Sequence, residues 1–319
     1  KGIYNMKIIH IGPLPPPLGG ISVFLYRLKK LFPDYIFVDE SRLSKWGFIK
    51  AILQLDSHVF YHSPNLTRRL FIFIFCKLLG NNFTLVCHGD GLKDSYVNSN
   101  IFMRYLIRSM LRNATGIHVV NKQIAGFIKE ILKINLESIT VRNAFLSPPL
   151  TEESDILLTY NNSVFEFLNE HSPIILANAS ALVFYKKQDL YGLDICIELI
   201  AKLKESFPKV GLIFALADAS NVEYLNKIEQ RIEKLDIKNN LYFLTGQKEL
   251  WPLFKRVDIM VRPTCSDGYG ISIAEALYFG CPAVASDVCT RPEGTILFKN
   301  RDLNDFYNKV VSILKEKSP

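Results

Sequence analysis

Short apolar runs alternate along the chain with longer stretches in which apolar positions recur at helical spacing. This is the alternation of a parallel α/β sheet. The run KIIHIG at 7–12 reads as a buried first strand, followed by a Pro- and Gly-rich loop at 13–20 and a helix over 21–31. Further strands are expected at 57–61, 83–87 and 116–120. The pattern breaks between about 146 and 173, where Pro148, Pro149, a polar stretch and Pro173 suggest a connection between domains. Alternation then restarts. Strands are expected at 174–179, 210–216, 240–244, 258–261 and 282–286, with helices at 192–206, 222–235, 272–279 and 302–315 and a short one ending at 256. Two successive α/β halves imply two doubly wound sheets, whose ligands bind outside the carboxyl ends of the strands.

The composition, 49% hydrophobic and 22% charged over 319 residues, is that of an ordinary globular chain of about two domains. No apolar run reaches the roughly 18 residues of a membrane span; the longest, 70–79, is short and contains Lys77. Met6 reads as close to the natural start, with the five residues before it as additions. Six scattered cysteines without a C-x-x-C pair point to reduced, buried thiols and a cytoplasmic protein. Six histidines form no H-E-x-x-H cluster, so no metal site is expected. Charge changes the picture more. Residues 1–150 carry 19 Lys and Arg against 8 Asp and Glu, whereas residues 151–319 carry 19 against 23. A basic half suits phosphates, nucleic acid or an anionic membrane face. Within it, Arg104, Arg108 and Arg112 recur every four residues and form one helical stripe beside an apolar face, a candidate contact with anionic lipid or a lipid-linked acceptor. An ordinary exposed helix face is the plainer alternative. No nucleic-acid-binding motif accompanies these charges.

The most informative stretch is VRPTCSDGYGISIAEALYFGCPAVASDV at 261–288. Gly268 and Gly270 loosen the backbone ahead of a helix whose first turn holds Ser272 and Glu275. Gly-rich backbone entering a helix makes an anion site, because free N–H groups and the helix dipole point the same way. Asp267 and Glu275 flank that site and could accept hydrogen bonds from sugar hydroxyls. Ser272-x-x-Glu275 also fits a capping box, and the two readings are compatible. No G-x-G-x-x-G or P-loop pattern occurs, which lowers dehydrogenase and NTPase readings.

Asp267 followed by seven residues and then Glu275 resembles the E-x7-E signature of retaining GT-B glycosyltransferases of the family 4 type, with Asp in place of the first Glu. The surrounding RPT…DGYGISIAEALYFGCPAVASDV…RPEGTILF is similar to a bacterial surface-polysaccharide subgroup, and MKIIHIG, PPPLGG, VCHG at 86–89, GIHVV at 116–120 and ITVRNAFLSPP at 139–149 agree. The resemblance implies a GT-B fold, two Rossmann-like domains facing across a cleft that holds the active site. Residues 1–148 would bind the acceptor, 149–172 would connect, and 173–319 would bind the nucleotide sugar, with the last helix packing back toward the first domain. It implies that Glu275 binds donor ribose hydroxyls, that Asp267 holds the transferred sugar, and that His88 contacts that sugar near the reacting centre. Backbone N–H groups of Gly268, Tyr269, Gly270, Ile271 and Ser272 would contact the donor, and Gly19 and Gly20 would let the first loop approach the diphosphate. The family places an Arg and then a Lys after the first strand of the second domain; here Ala181 and Tyr191 lie near those positions, and Lys186 or Lys187 would have to neutralise the diphosphate instead.

The expected partners are therefore a nucleotide sugar, with UDP as the nucleotide, a polyprenyl-diphosphate-linked glycan and an anionic membrane surface, and not nucleic acid. The enzyme would be peripheral on the inner face of the cytoplasmic membrane, use no cofactor or metal (no D-x-D motif occurs) and retain anomeric configuration in O-antigen or capsule synthesis. The alternative is a catalytically silent nucleotide-sugar-binding or scaffold protein of the same fold.

Overall fold

The apolar runs become the strands of two separate parallel sheets. The computed structural model describes residues 6–42, 53, 56–133, 139–142 and 144–317. The five residues before Met6, and Asn143 within the 139–149 motif, lie outside them. The chain divides into two units, Lys1–Leu146 and Ser147–Pro319.

In the first unit six strands lie in the order β2-β1-β3-β4-β5-β6. They are β1 (Lys7–Gly12), β2 (Ile36–Asp39), β3 (Ser57–Tyr61), β4 (Asn82–Cys87), β5 (Gly116–Val119) and β6 (Ile139–Val141). All neighbouring pairs are parallel. Among the described residues the helices are α1 (Gly20–Leu31), α2 (Leu66–Leu78), α3 (Gly91–Val97), α4 (Ile101–Asn113) and α5 (Lys122–Leu132). Three of them start in the same way: Asn65, Asn100 and Asn121 sit in extended backbone, and each side chain accepts a first-turn N–H. Each such cap is worth about 1 kcal/mol. The strand order reverses between β1 and β3, which makes the carboxyl ends of those strands the expected ligand position.

The second unit begins earlier than the proline pattern suggests. Residues 149–172 are not a bare connection: they fold into a short 3-10 turn, α6 (Glu153–Leu157) and α7 (Asn162–Glu170). Tyr160, Val164 and Phe167 from this segment join one of the unit's two cores, with Trp251, Phe254 and Ile273. The prolines bracket these helices rather than dissolve them. After them come β7 (Ile174–Ala179), a hairpin of β8 (Phe184–Tyr185) and β9 (Gln188–Asp189), α8 (Leu193–Lys204), β10 (Gly211–Leu216), α9 (Val222–Lys234) and β11 (Leu241–Thr245). A 3-10 turn at Trp251–Lys255 leads to β12 (Ile259–Arg262), α10 (Ile271–Tyr278), β13 (Ala283–Ser286), β14 (Ile296–Phe298) and α11 (Leu303–Lys317).

The second sheet runs β11-β10-β7-β12-β13-β14, the doubly wound order with its switch between β7 and β12. Helix α11 is built into this unit. Phe306 stacks on Phe298 of β14 at 4.3 Å, and Val310 and Ile313 join the core beneath α8. Strands β2, β6, β14 and the hairpin were not expected from the sequence, since each is short and only partly buried.

Candidate active site

The switch point of the second sheet brings together Asn178 at the end of β7 and Arg262 at the end of β12. Arg262 Nε donates to Asp267 Oδ2 at 2.5 Å, and its Nη1 donates to Asn178 Oδ1 at 3.1 Å and approaches Ser272 Oγ at 3.5 Å. Arg291 Nη1 donates to the same Asp267 oxygen at 2.6 Å. The Arg291 side chain is 1% exposed and its remaining N–H groups go to Ser286 O, Ser286 Oγ and Thr264 Oγ1. Asp267 Oδ1 accepts from Gly268 N–H. Burial alone would raise the Asp267 carboxyl pKa, but the Arg262 and Arg291 guanidiniums outweigh it and hold the group far below the usual carboxylate range.

This geometry gives Asp267 partners that the sequence did not suggest. Oδ2 is shared by the Arg262 and Arg291 guanidiniums and Oδ1 accepts one backbone N–H, so the carboxylate organises two cations. The sequence pattern gave no weight to Arg262 or Arg291. The available signal was two arginines inside an apolar, small-residue stretch, where an unpaired guanidinium is too costly to bury. Arg262 Nη2 has no partner among the described residues, and the guanidinium lies over the Tyr191 ring at 5.7 Å. Tyr191 is fixed by Ser180, whose Oγ lies 2.5 Å from the Tyr191 hydroxyl, and by Asp189, which accepts the Tyr191 and Gly192 N–H groups. A cation thus stands beside the position where the family's lysine was missed, supplied from β12.

Helix α10 opens at this cluster. Its N-cap is Gly270, with φ +90 and no side-chain cap bond, so Ser272 is not the cap and the expected capping box does not form. A Cβ on Gly270 would lie 2.8 Å from Ile273 Cδ1 and 3.1 Å from Arg291 Nη1 in a left-handed backbone that side chains resist. The N–H groups of Ile271 and Ser272, in the first turn, have no intrahelical acceptor. Tyr269, Ser272 and Glu275 are buried around this entry. The partners of Asp267 at this entry come from β12, the loop after it and Arg291, and among the described residues Lys186 and Lys187 make no bond there. They form the tip of the β8–β9 hairpin, both exposed with positive φ, and Lys186 Nζ lies over the Tyr185 ring at 5.2 Å. A two-residue turn of this kind points its side chains into water.

In the first unit His88 follows β4, and its surroundings were not legible from spacing. His88 Nε2 is 2.9 Å from His62 Nδ1, and His62 Nε2 is 2.9 Å from His10 Nδ1. Gly12, at the end of β1, makes room for this row, since a Cβ there would meet Leu25 Cδ1 at 2.8 Å and His62 Cβ at 3.0 Å. His58 and His118 lie on neighbouring strands. Burial holds His10, His88 and His118 at about 4 and His62 well below its ordinary value, so all four are neutral near pH 7. A cavity of about 320 Å³ within this unit is lined by His10, His62, His88, His118, Phe24 and Phe60, among others. Gly19 is the N-cap of α1 and Gly20 its first residue; Gly19 N–H donates to Ser22 Oγ at 2.9 Å. Among the described residues, no group of three His, Cys, Asp or Glu is arranged to hold a metal ion.

The arginine stripe of α4 is largely committed within the unit. Arg104 donates to Tyr96 O and Val97 O at the end of α3, and Arg112 reaches Leu132 O at the end of α5. Arg104 and Arg108 both lie over the Tyr96 ring. Arg104 and Arg112 complement the negative ends of two helices. What α4 exposes instead is apolar: Ile101 is 87% exposed, Phe102 66% and Tyr105 67%. No helix among the described residues is long and apolar enough to cross a membrane.

Residues 164–315, within the second unit, match the family model of Glycosyl transferases group 1. Over 131 residues the chain is 27% identical to the lipopolysaccharide glucosyltransferase WaaG of Escherichia coli K12, covering 38% of this chain and 34% of that one. Over 98 residues it is 24% identical to the lipopolysaccharide core biosynthesis mannosyltransferase LpsB of Rhizobium meliloti, covering 30% of this chain and 28% of that one. These matches span about a third or less of the relatives' lengths. The crystal structure of Anabaena Alr3699/HepE in complex with UDP superposes with a TM-score of 0.71 at 14% identity, covering 98% of this chain and 91% of that one. A glycosyltransferase from Rickettsia africae gives a TM-score of 0.71 at 14% identity, covering 99% and 90%. The fold is that of GT-B glycosyltransferases, with two parallel-sheet α/β domains.

Proposed function

We propose that the chain is a retaining, metal-independent glycosyltransferase that moves a hexose or N-acetylhexosamine from a UDP-sugar to a lipid-linked glycan in surface-polysaccharide synthesis. The observation that carries this reading is the entry to α10. Two guanidiniums, Arg291 buried and Arg262 partly so, share one carboxylate there, beside a helix N-terminus whose first N–H groups are free to bind an anion. A nucleoside diphosphate fits that chemistry, and Arg262 is the residue assigned to its phosphates. Glu275, buried on the same helix, is assigned to the ribose. Support for the donor class comes from HepE, solved with UDP and with UDP-glucose, and support for the acceptor class from the lipopolysaccharide enzymes that the chain resembles. In the reaction the leaving diphosphate takes up negative charge as the sugar–oxygen bond breaks. Arg262 and the α10 dipole stabilise that charge without a metal. Membrane attachment is assigned to the first unit, peripheral and on the face that presents Ile101, Phe102 and Tyr105.

Titration calorimetry with UDP and a transfer assay in EDTA test the reading together. Arg262→Gln should weaken UDP binding by about 10- to 100-fold, the worth of a charge-assisted bond of about 1.5–3 kcal/mol. UDP binding without transfer to any lipid-extract acceptor would favour the silent, donor-binding alternative. An absence of nucleotide binding in the unaltered protein would overturn both.

A further inference from the structure

The row His10–His62–His88 does something that three separate buried histidines would not. His62 spends both ring nitrogens on other histidines, at 2.9 Å each. A neutral imidazole has one N–H and one lone pair, so His62 must donate to one neighbour and accept from the other. All three rings therefore share one sense, and only two arrangements exist. In one, every ring carries its proton on Nδ1, and the row ends in a His88 Nδ1–H. In the other, every ring carries it on Nε2, and His88 ends in an Nδ1 lone pair.

The surroundings distinguish the two. His88 Nδ1 is buried and has no hydrogen-bond partner. A buried N–H left unpaired is tolerated less readily than an unfilled lone pair. His10, at the other end, lines the cavity, so an Nε2–H there can meet water or a ligand. The rings are also held in place. His10 is stacked between its cross-strand partners Phe37 and Phe60, at 5.2 and 4.8 Å, and Phe24 meets His88 edge-on at 5.1 Å. Burial keeps all three neutral.

We propose that His10 and His62 are positioning residues that lock His88 in its Nε2–H tautomer, so that its buried Nδ1 is a lone pair, and that a proton reaching that lone pair is relayed along the row. A proton arriving at His88 Nδ1 displaces Nε2–H to His62 Nδ1. His62 Nε2–H passes to His10 Nδ1, and His10 Nε2–H leaves to the cavity. One proton enters, one leaves, and the three rings exchange tautomers without any ring holding a charge at either end of the process. The tautomer assignment stands by itself; its effect on turnover rests on the transferase reading.

The test is long-range ¹H–¹⁵N NMR of the imidazole rings in the full chain, labelled with ¹⁵N-histidine and assigned by single substitutions. His10, His62 and His88 should all appear as neutral Nε2–H tautomers. His62→Phe should turn His88 into an averaged mixture of tautomers and leave His171, in the other unit, unmoved. His62→Gln, whose amide can accept from His88 and donate to His10, should restore the Nε2–H form. An Nδ1–H form of His88 in the unaltered protein, or a His88 spectrum indifferent to His62→Phe, would overturn the proposal. In a transfer assay His62→Phe should lower kcat roughly 10- to 100-fold, with donor KM changed less than about twofold. Unchanged kcat would remove the catalytic consequence. Loss of UDP binding or transfer in the unaltered protein would defeat the transferase reading instead, and the ring spectra would still decide the relay.

Discussion

At the scale of single residues, Asp267 and Glu275 share one motif but have different surroundings. The spacing puts both beside the entry to α10. Only the structure shows that Asp267 is held by Arg262 and Arg291, while Glu275 lies buried on α10. Their substitutions should therefore separate by stability rather than by sugar contact. Asp267→Asn leaves the buried Arg291 and the part-buried Arg262 without their counter-charge, and breaking a buried pair costs about 3–5 kcal/mol. Scanning calorimetry should show the second unit melting well below its unaltered temperature. Glu275→Gln keeps the shape of the side chain and should weaken UDP by about 10- to 100-fold through one lost charge-assisted bond. Equal melting temperatures for the two variants would show that Asp267 does not organise the cluster.

At the scale of elements, two segments carry roles that local patterning obscured. Helix α7 sits between prolines, yet its apolar positions pack on the sheet: Phe167 stacks on His171 at 4.0 Å, and its ring lies so close to Gly211 that a Cβ there would come within 2.8 Å. Phe167→Ala should cost the second unit about 3–5 kcal/mol, whereas a mere connecting segment would tolerate it. Hydrogen exchange, read peptide by peptide, should show the loss in the strands of the second sheet and not in the first. Helix α4 reverses the expectation in another way. Arg104 and Arg112 reach helix ends and Arg108 lies over Tyr96, while Ile101, Phe102 and Tyr105 face outward. Vesicle co-sedimentation should fall sharply for an Ile101→Ala/Phe102→Ala variant, because removing large apolar groups from an interface costs about 25 cal/mol per Å² no longer buried. A salt-dependent remainder should persist from the basic charge of residues 1–150. Full binding by that variant would return the membrane role to the charges alone.

At the scale of the molecule, the two units should respond differently to acid. The first holds five histidines with depressed values: His10, His88 and His118 at about 4, His62 well below the ordinary value and His58 lowered, all with burial as the first cause. In the unfolded chain these groups titrate near 6.5, so the unfolded state binds more protons between about pH 6.5 and 4. Stability contributed by the neutral rings is complete above pH 6.5 and is lost as pH falls through that window. Hydrogen exchange at pH 7, 5.5 and 4.5, corrected for intrinsic rate, should show the first sheet losing protection before the second. The reverse order would mean that the histidines are not neutral in the folded chain.

What the sequence by itself determined is the class of fold and the residue pattern that enters α10. Long apolar strands such as β1 and β7, and well-patterned helices such as α9, are legible because burial of one face imposes a period that neighbours cannot disguise. The Gly-rich entry to α10 is legible for the same local reason, since left-handed backbone at Gly270 selects its residue type. Tertiary structure alone decided which charges meet. Arg262 and Arg291 are 29 residues apart, and His10 and His88 are 78 apart, so their partners are set by strand order and not by spacing. Parallel sheets bring the ends of distant strands together at their switch points. Burial there forces each guanidinium to find a carboxylate and each imidazole to find another ring, because an unpaired polar group in that interior costs more than the pairing does.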